Sequence, residues 1–319
     1  MYERGTIQME RVVIVGAGAM GCLFAARLAL AGKQVTLVDV DTARLEQIAA
    51  RGIVLHDDHG DRTARVTACT AADAEPADLV LVFTKAMHTA AAIRSVAHLN
   101  DGHCCALTLQ NGLGNAEALA EVFPADRVLI GVTDWPADLL PPNGVAAHGT
   151  GHVWLGPCDK AGADHAQAAT TLLNAGRMDA RHDPDVLAAV WEKAAFNAAL
   201  NALSTVLGLP VGGLDTPEGR RIAVAVVDET VAVAASRGIA MDRARLAAKI
   251  DFALANHKAH KPSMLQDRLA GRPTEIDAIN GQIVNAATAA GLTAPVTATL
   301  ADLVRMGEPG RTQARPALS

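Results

Sequence analysis

The sequence has no surplus of basic residues and no long apolar run. Its formal net charge is −6, its Lys and Arg are scattered along the chain, and aromatic residues make up only 3% of it. Because nucleic-acid binding requires a clustered basic surface, no nucleic acid is expected as a partner. Every apolar stretch is interrupted by Asp, Glu or Asn well short of about 18 residues, so no membrane is expected either. The N-terminal segment MYERGTIQMERVV lacks the long apolar core of a signal peptide, which favours a cytoplasmic protein.

Disulfide and metal-binding patterns are also missing. The five cysteines, at positions 22, 69, 104, 105 and 158, form neither an even set nor a CxxC pair. This usage suits a reducing compartment, and we interpret the cysteines as small buried hydrophobic residues. The histidines show no metal-binding spacing with acids or cysteines, so no metal is expected.

The chain contains two regions of different pattern. At 319 residues it exceeds what one hydrophobic core usually supports, and the pattern changes near residue 183. Before that point short apolar strands alternate with helical stretches, as in a doubly wound parallel sheet. After it almost every segment is typical of a helix. The sequence therefore predicts an α/β protein, with a Rossmann-type dinucleotide-binding domain over residues 1–182 and an all-α domain over 183–319.

The expected elements follow the apolar periodicity. In the first region we expect strands over residues 34–39, 79–84, 104–109 and 128–132, helices over 22–31, 89–99, 116–123 and 164–175, and antiparallel edge strands within 145–156. In the second region we expect helices over 186–207, 218–237, 243–256 and 275–290.

The run VVIVGAGAMG at residues 12–21 joins a buried strand to a glycine-patterned turn and a helix start. Gly16 permits the tight turn, Gly18 leaves room for a pyrophosphate, and Gly21 lets the helix pack closely on the strand. The phosphates would then meet free N–H groups at the positive end of the helix. A glycine turn without a ligand is the alternative, but the strand, turn and helix context favours a dinucleotide site. The predicted contacts are Gly16, Ala17, Gly18, Ala19, Met20 and Gly21.

Asp39 ends the second expected strand, eighteen residues after Gly21. A carboxylate at that position can accept hydrogen bonds from an adenosine ribose. Asp39 is therefore a further predicted cofactor contact.

The helix expected over residues 186–207 is apolar on nearly all sides, which implies burial. Lys193, Asn197 and Asn201 interrupt it at intervals of four, so they stack on one face. A buried helix should carry no lysine unless that face lines a polar cleft. The alternative is a solvent-facing stripe with Glu192 beside it, but one lysine flanked by two amides favours the cleft.

Five segments together resemble the ketopantoate reductase (2-dehydropantoate 2-reductase) family. They are VVIVGAGAMG at 12–21, VFTKAMHT around Lys85, LTLQNGLGN around Asn111, WEKAAFNAALNALS around Lys193, and PSMLQDRLAGRPTEIDAING at 262–281. The resemblance covers most of the chain. It implies a helical C-terminal domain of the 6-phosphogluconate dehydrogenase-like type, an active site in the cleft between the domains, NAD(P)H as cofactor and a role in pantothenate biosynthesis.

The resemblance implies a catalytic pair. Lys193 corresponds to the catalytic lysine, and Glu275 to the acid that pairs with it and with the substrate. Reducing a 2-oxo acid places negative charge on the carbonyl oxygen, which a protonated lysine can neutralise and then protonate. A nearby carboxylate favours the charged lysine. For Glu275 the alternative role is stabilisation of a helix N-terminus just after Pro273.

The resemblance also implies binding residues. Asn197 and Asn201 correspond to substrate-binding amides, and Ser263 to a contact with the substrate carboxylate. Asn111 corresponds to an amide near both nicotinamide and substrate, and Lys85 to a lysine of the cofactor-side loop. Ser263 could equally cap the short helix that follows Pro262, and Lys85 alone would be a surface lysine at a strand end.

Two positions depart from the family pattern. Members that prefer NADPH generally have an arginine just past the second strand, whereas this chain has Val40 between Asp39 and Asp41. Two carboxylates would repel a 2′-phosphate, although Arg44 could swing in, so we expect NADH to be used better than NADPH. Val211 stands where the family has a further substrate-binding Asn, which leaves the natural 2-oxo acid open.

The sequence thus predicts an oxidoreductase that reduces the keto group of a branched 2-oxo acid to the 2-hydroxy acid, with Lys193 as proton donor. An NAD-dependent D-2-hydroxyacid dehydrogenase of the same family, including mandelate-type enzymes, is the nearest alternative. An alternative of another class is a non-catalytic nicotinamide-sensing regulatory protein, which would have no need of the lysine. The expected partner is a small-molecule 2-oxo acid, and a homodimer is compatible with the sequence.

Overall fold

The computed structural model describes residues 7–308 and divides into two compact units. The N-terminal unit runs up to Gln110 and continues over Asn115–Leu187, and the helical unit comprises Asn111–Gly114 and the chain from Ala188 onward. In this grouping the main division follows Leu187. The Asp183 N–H donates to the Leu155 carbonyl at 2.8 Å, which ties this segment to the N-terminal unit.

The N-terminal unit is built from strands and helices in alternation. Its strands are β1 (Arg11–Val15), β2 (Gln34–Val38), β3 (Ile53–Asp57), β4 (Gly60–Ala64), β5 (Thr67–Cys69), β6 (Leu79–Val82), β7 (Cys105–Thr108), β8 (Val128–Thr133), β9 (Asp138–Leu140), β10 (Gly144–Ala147), β11 (Val153–Pro157) and β12 (Ala180–His182). Its helices are α1 (Ala19–Leu30), α2 (Thr42–Arg51), α3 (Thr89–Ser95), α4 (Asn115–Ala120) and α5 (Ala163–Ala175).

The larger sheet has the strand order β12-β11-β8-β7-β6-β1-β2-β5. The strands from β5 to β8 in this order pair in parallel, and β11 pairs antiparallel to β8. Chain order reverses on the two sides of β1, so the carboxyl ends of β1 and β6 border the crevice where such sheets bind ligands. The predicted doubly wound domain is confirmed.

A second sheet, with the order β4-β3-β10-β9, was not expected from the sequence. The edge strands predicted within 145–156 are only partly correct, because β11 joins the larger sheet while β10 pairs in parallel with β3. In β3 buried and partly exposed residues alternate, so one face is apolar and can cover a helix. That helix is α1, which contacts β2 in the larger sheet and β3, β4 and β10 in the smaller one.

The helical unit is built around one long apolar helix. Its helices are α6 (Val186–Leu207), α7 (Pro217–Ser236), α8 (Arg243–Asn256), α9 (Ser263–Leu269), α10 (Gln282–Ala289) and α11 (Pro295–Met306). The core consists largely of small and branched apolar side chains from α6, α7 and α8. The predicted helical second domain is confirmed, but the helix expected from residue 275 starts as a π-helical turn, Asp277–Gly281, before α10. Within the described ranges, none of the helices combines the length and apolar content needed to cross a bilayer.

The cysteines are all free thiols, and not all are buried. Cys22, Cys104 and Cys105 lie in the core, and burial raises the pKa of each thiol to about 12. Cys69 is partly buried and Cys158 is exposed, so the interpretation of all five as buried residues is wrong for Cys158. Between residues 7 and 308, the structure groups no three His, Cys, Asp or Glu side chains as metal ligands.

Candidate active site

The glycine turn after β1 has little room except at one position. Gly16 has φ +113°, and a Cβ there would lie 2.9 Å from the Phe83 carbonyl carbon. A Cβ at Gly21 would lie 1.8 Å from the Gly16 carbonyl oxygen, so helix and turn touch through backbone atoms. A Cβ at Gly18, in contrast, would meet no atom of the described residues within 4 Å. The open side of the turn therefore lies at Gly18.

The N-terminus of α1 supplies donors at this open side. Gly18 is the N-cap residue and carries no side chain that could cover the first turn. The Cys22 N–H donates to the Gly18 carbonyl at 2.9 Å, which is the hydrogen bond of the first turn of α1. The N–H groups of Ala19, Met20 and Gly21 come before Cys22 in the chain. Helix geometry leaves such first-turn N–H groups without a carbonyl partner and makes this end positive. The residues present fit a dinucleotide pyrophosphate.

Asp39 lies against the turn just after β2. Its carboxylate accepts the N–H of Ala17 at 2.5 Å and the N–H groups of Val40 and Asp41 at 2.8 and 2.9 Å. The Ala17 N–H is thus used within the chain rather than being left for a phosphate. Three donors hold the carboxylate beside the position predicted for the ribose.

Arg44, in the first turn of α2, also lies beside the turn. Its Nη1 donates to the Ala17 carbonyl at 3.0 Å, and its Nε is 3.8 Å from the Asp41 carboxylate. Val40 points away from the protein and is 96% exposed. Arg44, the cation nearest the expected ribose site, is therefore already engaged by the Ala17 carbonyl and the Asp41 carboxylate.

The loops that follow β6 and β7 are joined by Gln110, which sequence reasoning did not single out. Its Nε2 donates to the Thr84 carbonyl at 2.6 Å and to the Thr89 hydroxyl at 2.8 Å. These bonds fix the backbone immediately before Lys85, which is partly buried. The available signal was its place in the segment LTLQNGLGN, between Thr108 and Asn111. Gln110 positions the loop predicted to reach the cofactor.

In the helical unit, α6 carries the predicted polar face. Lys193 is partly buried, while Asn197 and Asn201 are 9% and 6% exposed. The side chains of both asparagines form no hydrogen bond with another described residue. Buried amides normally have partners, so this face is suited to bind a polar ligand. The solvent-facing alternative does not agree with this burial.

Glu192, adjacent in sequence to Lys193, belongs to a different part of the molecule. Its carboxylate is buried and accepts from Arg245 Nη2 at 2.5 Å and from the Asp242 N–H at 3.1 Å. It therefore anchors the start of α8 to α6. It does not extend the stripe of Lys193.

The segments that carry Asn111 and Glu275 both pack within the helical unit. The Leu113 N–H donates to the Ala278 carbonyl at 2.9 Å, and the Asn280 amide donates to the Ala198 carbonyl on α6 at 3.2 Å. Glu275 itself is only 6% exposed and lies just before the π-helical turn. The helical unit thus groups the loop of Asn111, the segment of Glu275 and the polar face of α6.

Ser263 is the first residue of α9 and is exposed. The N-cap of α9 is Pro262, so Ser263 does not occupy the capping position that the sequence left open. The preceding loop is attached to the turn at Val211, whose N–H donates to the His260 carbonyl at 2.9 Å. The Ser263 hydroxyl is therefore available for a ligand.

One unit thus offers an open glycine turn at a helix N-terminus with a carboxylate beside it, and the other offers a lysine, two buried amides and a buried acid. These features define an NAD(P)-dependent oxidoreductase with a Rossmann-like domain.

Comparison with known proteins supports the same class. The family described as Ketopantoate reductase PanE/ApbA matches residues 12–160, and its C-terminal counterpart matches residues 185–308. The chain belongs to the ketopantoate reductase family and is an NAD(P)-dependent 2-oxo acid reductase. The family resemblance and the oxidoreductase class predicted from the sequence are confirmed.

Individual relatives match over nearly their whole length. The chain is 34% identical over 306 residues to a 2-dehydropantoate 2-reductase of Halobacterium salinarum, covering 93% of this chain and 99% of the relative. It is 33% identical over 307 residues to one of Archaeoglobus fulgidus, covering 95% and 100%. The ternary structure of D-mandelate dehydrogenase with NADH and anilino(oxo)acetate matches with a TM-score of 0.90 at 28% identity, covering 95% and 100%.

Proposed function

We propose that this enzyme reduces the keto group of a branched or aromatic 2-oxo acid, with NADH preferred and Lys193 as proton donor. The observation that carries the proposal is the face of α6, where a partly buried lysine is followed at intervals of four by two amides with no described partner. An apolar helix tolerates such groups only where a ligand or water completes their hydrogen bonds.

A nicotinamide dinucleotide held at the glycine turn of Gly16, Gly18 and Gly21 would supply the hydride for reduction of the carbonyl carbon. The Lys193 ammonium stabilises the negative charge on the carbonyl oxygen and donates a proton to it, giving the hydroxyl group. Glu275 is the carboxylate that pairs with Lys193. The amides of Asn197 and Asn201 and the hydroxyl of Ser263 bind the substrate, and Asn111 and Lys85 act at the cofactor side.

The residue type at position 211 supports a substrate with an apolar side chain, because Val211 stands where the family resemblance places a substrate-binding Asn. A valine offers no hydrogen bond to a substrate hydroxyl, and leaving such a hydroxyl unpaired in a site costs free energy. Ketopantoate carries a terminal hydroxyl, whereas aliphatic branched or aryl 2-oxo acids do not.

A D-2-hydroxyacid dehydrogenase activity is the second candidate. It is favoured by the structural match to D-mandelate dehydrogenase, which extends over the whole of that chain. The two candidates share the same hydride transfer and differ in substrate side chain and in physiological direction.

The proposal is tested by a panel of ketopantoate, 3-methyl-2-oxobutanoate and phenylglyoxylate, each assayed with NADH and with NADPH. We expect kcat/KM to be higher for an acid without the terminal hydroxyl and higher with NADH. A clear preference for ketopantoate with NADPH would contradict the proposed substrate class and cofactor.

A further inference from the structure

A cavity of about 530 Å³ lies in the N-terminal unit, away from the dinucleotide turn. Its walls come from the last turn of α1, the β3–β4 hairpin, the segment around Trp135 and the end of α5. This volume is within the range of sites that hold small organic molecules. Arg27 in the last turn of α1 is nine residues from Gly18, or about 13 Å along the helix. The cavity is therefore separate from the cofactor position.

Three arginines line this cavity. Arg27 is 11% exposed and its guanidinium lies 3.9 Å from the centroid of the Trp135 ring. Its Nη1 donates to the Arg177 carbonyl at 2.9 Å. Arg62 enters from β4, and the exposed Arg177 enters from the end of α5. The Trp135 indole N–H donates to the Met178 carbonyl at 2.8 Å, which holds the ring in place.

The two carboxylates of the cavity are already engaged. Asp57 is buried and accepts a hydrogen bond from Arg62 and another from the His59 N–H at 3.0 Å. Asp58 accepts the Gly149 N–H at 2.7 Å and a bond from His148 at 3.0 Å. These two hydrogen bonds hold the pKa of Asp58 below its usual range.

Two of the arginines, in contrast, carry Nε–H groups that have no acceptor among the described residues. The Nε atoms of Arg27 and Arg62 are buried, and neither has a hydrogen-bond partner in the part of the chain that the structure describes. Arg27 Nη2 is 4.0 Å from the Asp57 carboxylate, beyond hydrogen-bond distance. Burial lowers the pKa of Arg27, as do Arg62 and Arg177, while Asp57 raises it. Buried charged donors without acceptors are costly, and Asp57 is one carboxylate paired with two guanidinium groups, so the cluster keeps a surplus of positive charge at the cavity.

We propose that this cavity binds a small organic anion through phosphate or carboxylate oxygens, held by Arg27, Arg62 and Arg177. Guanidinium groups bind both kinds of oxygen in paired hydrogen bonds. Because the site lies at the other end of α1 from the turn, the anion binds together with the dinucleotide.

The test is isothermal titration calorimetry of the NADH-saturated protein with inorganic phosphate and with citrate, at matched ionic strength. NADH keeps the probes from the pyrophosphate position, and the tighter probe distinguishes phosphate from carboxylate chemistry. We expect saturable binding of at least one probe and roughly tenfold weaker binding in Arg62→Gln and Arg177→Gln. Arg94→Gln, an exposed arginine of the same unit that pairs with Glu121, is the matched control and should bind as the wild type does.

The variant Asp57→Asn should change the affinity for the anion in the opposite direction. Asp57→Asn removes the buried carboxylate that competes for the arginines, so it should bind the tighter probe more strongly than the wild type. A fold defect alone would not raise affinity. No saturable binding of either probe, or unchanged affinity in both Arg62→Gln and Arg177→Gln, would overturn the proposal.

Discussion

At the scale of single residues, we propose that cofactor choice depends on the few side chains that follow β2. The Asp39 carboxylate is held by three backbone N–H groups, and Asp41 lies close by with Arg44 next to it. A 2′-phosphate would add nearly two negative charges beside these carboxylates. At a surface-like dielectric one such contact near 4 Å costs on the order of several kcal/mol before screening, enough for a tenfold or larger preference for NADH.

Val40→Arg should move the preference toward NADPH. Val40 is almost fully exposed, so the substitution adds a cation without disturbing the core. Combining Val40→Arg with Asp39→Ala should shift the cofactor preference further toward NADPH. Asp39→Ala also removes the acceptor of the Ala17 N–H. The measurement is kcat/KM for both cofactors at one saturating 2-oxo acid, with Val40→Ala as control. An unchanged ratio in the double variant would show that Asp39 does not face the ribose.

Ser263→Ala should raise KM for the 2-oxo acid by about tenfold, through loss of one hydrogen bond to a charged group, with little change in KM for the cofactor. Because Pro262 rather than Ser263 is the N-cap, α9 should keep its stability. Ser236→Ala, at the end of α7, is the matched control. An unchanged KM would remove Ser263 from the substrate site.

At the scale of elements, the sequence predicted some bounds closely and missed others for physical reasons. Helices α6 and α8 have the predicted bounds, because continuous apolar periodicity and clear breaks specify them locally. The smaller sheet was missed because its strands are short and pair across distant segments, as β3 does with β10. The π-helical turn depends on contacts from elsewhere, namely Leu113 with Ala278 and Asn280 with Ala198. The apolar periodicity of a short segment does not indicate contacts with residues that are distant in sequence.

The turn between β1 and α1 gives a matched pair of glycine substitutions. Gly18→Ala places a methyl group in the open side of the turn, so it should raise the dissociation constant for NADH while thermal stability is kept. Gly21→Ala forces a Cβ against the Gly16 carbonyl, so it should lower the melting temperature strongly. Thermal unfolding and NADH titration of both variants provide the check. Equal loss of stability in the two would contradict this account of the turn.

At the scale of the whole molecule, the proposed function assigns different tasks to the two units. The residue types of the proposed site could be predicted from the sequence, because each side chain with a proposed role lies in a short motif that can be identified locally. The contacts of Gln110 and Arg44 could not be predicted, since they depend on where loops end in space. The boundary near residue 182 and the homodimer remain predictions, and sedimentation would test the latter.

The proposed division of tasks, with dinucleotide binding in the N-terminal unit and proton donation in the helical unit, is tested most directly by Lys193→Ala. The account predicts that kcat falls by roughly 10² to 10⁴-fold while the dissociation constant for NADH stays within about twofold. Lys249→Ala, an exposed lysine on α8, should leave both quantities unchanged. Near-normal turnover in Lys193→Ala would contradict the central claim.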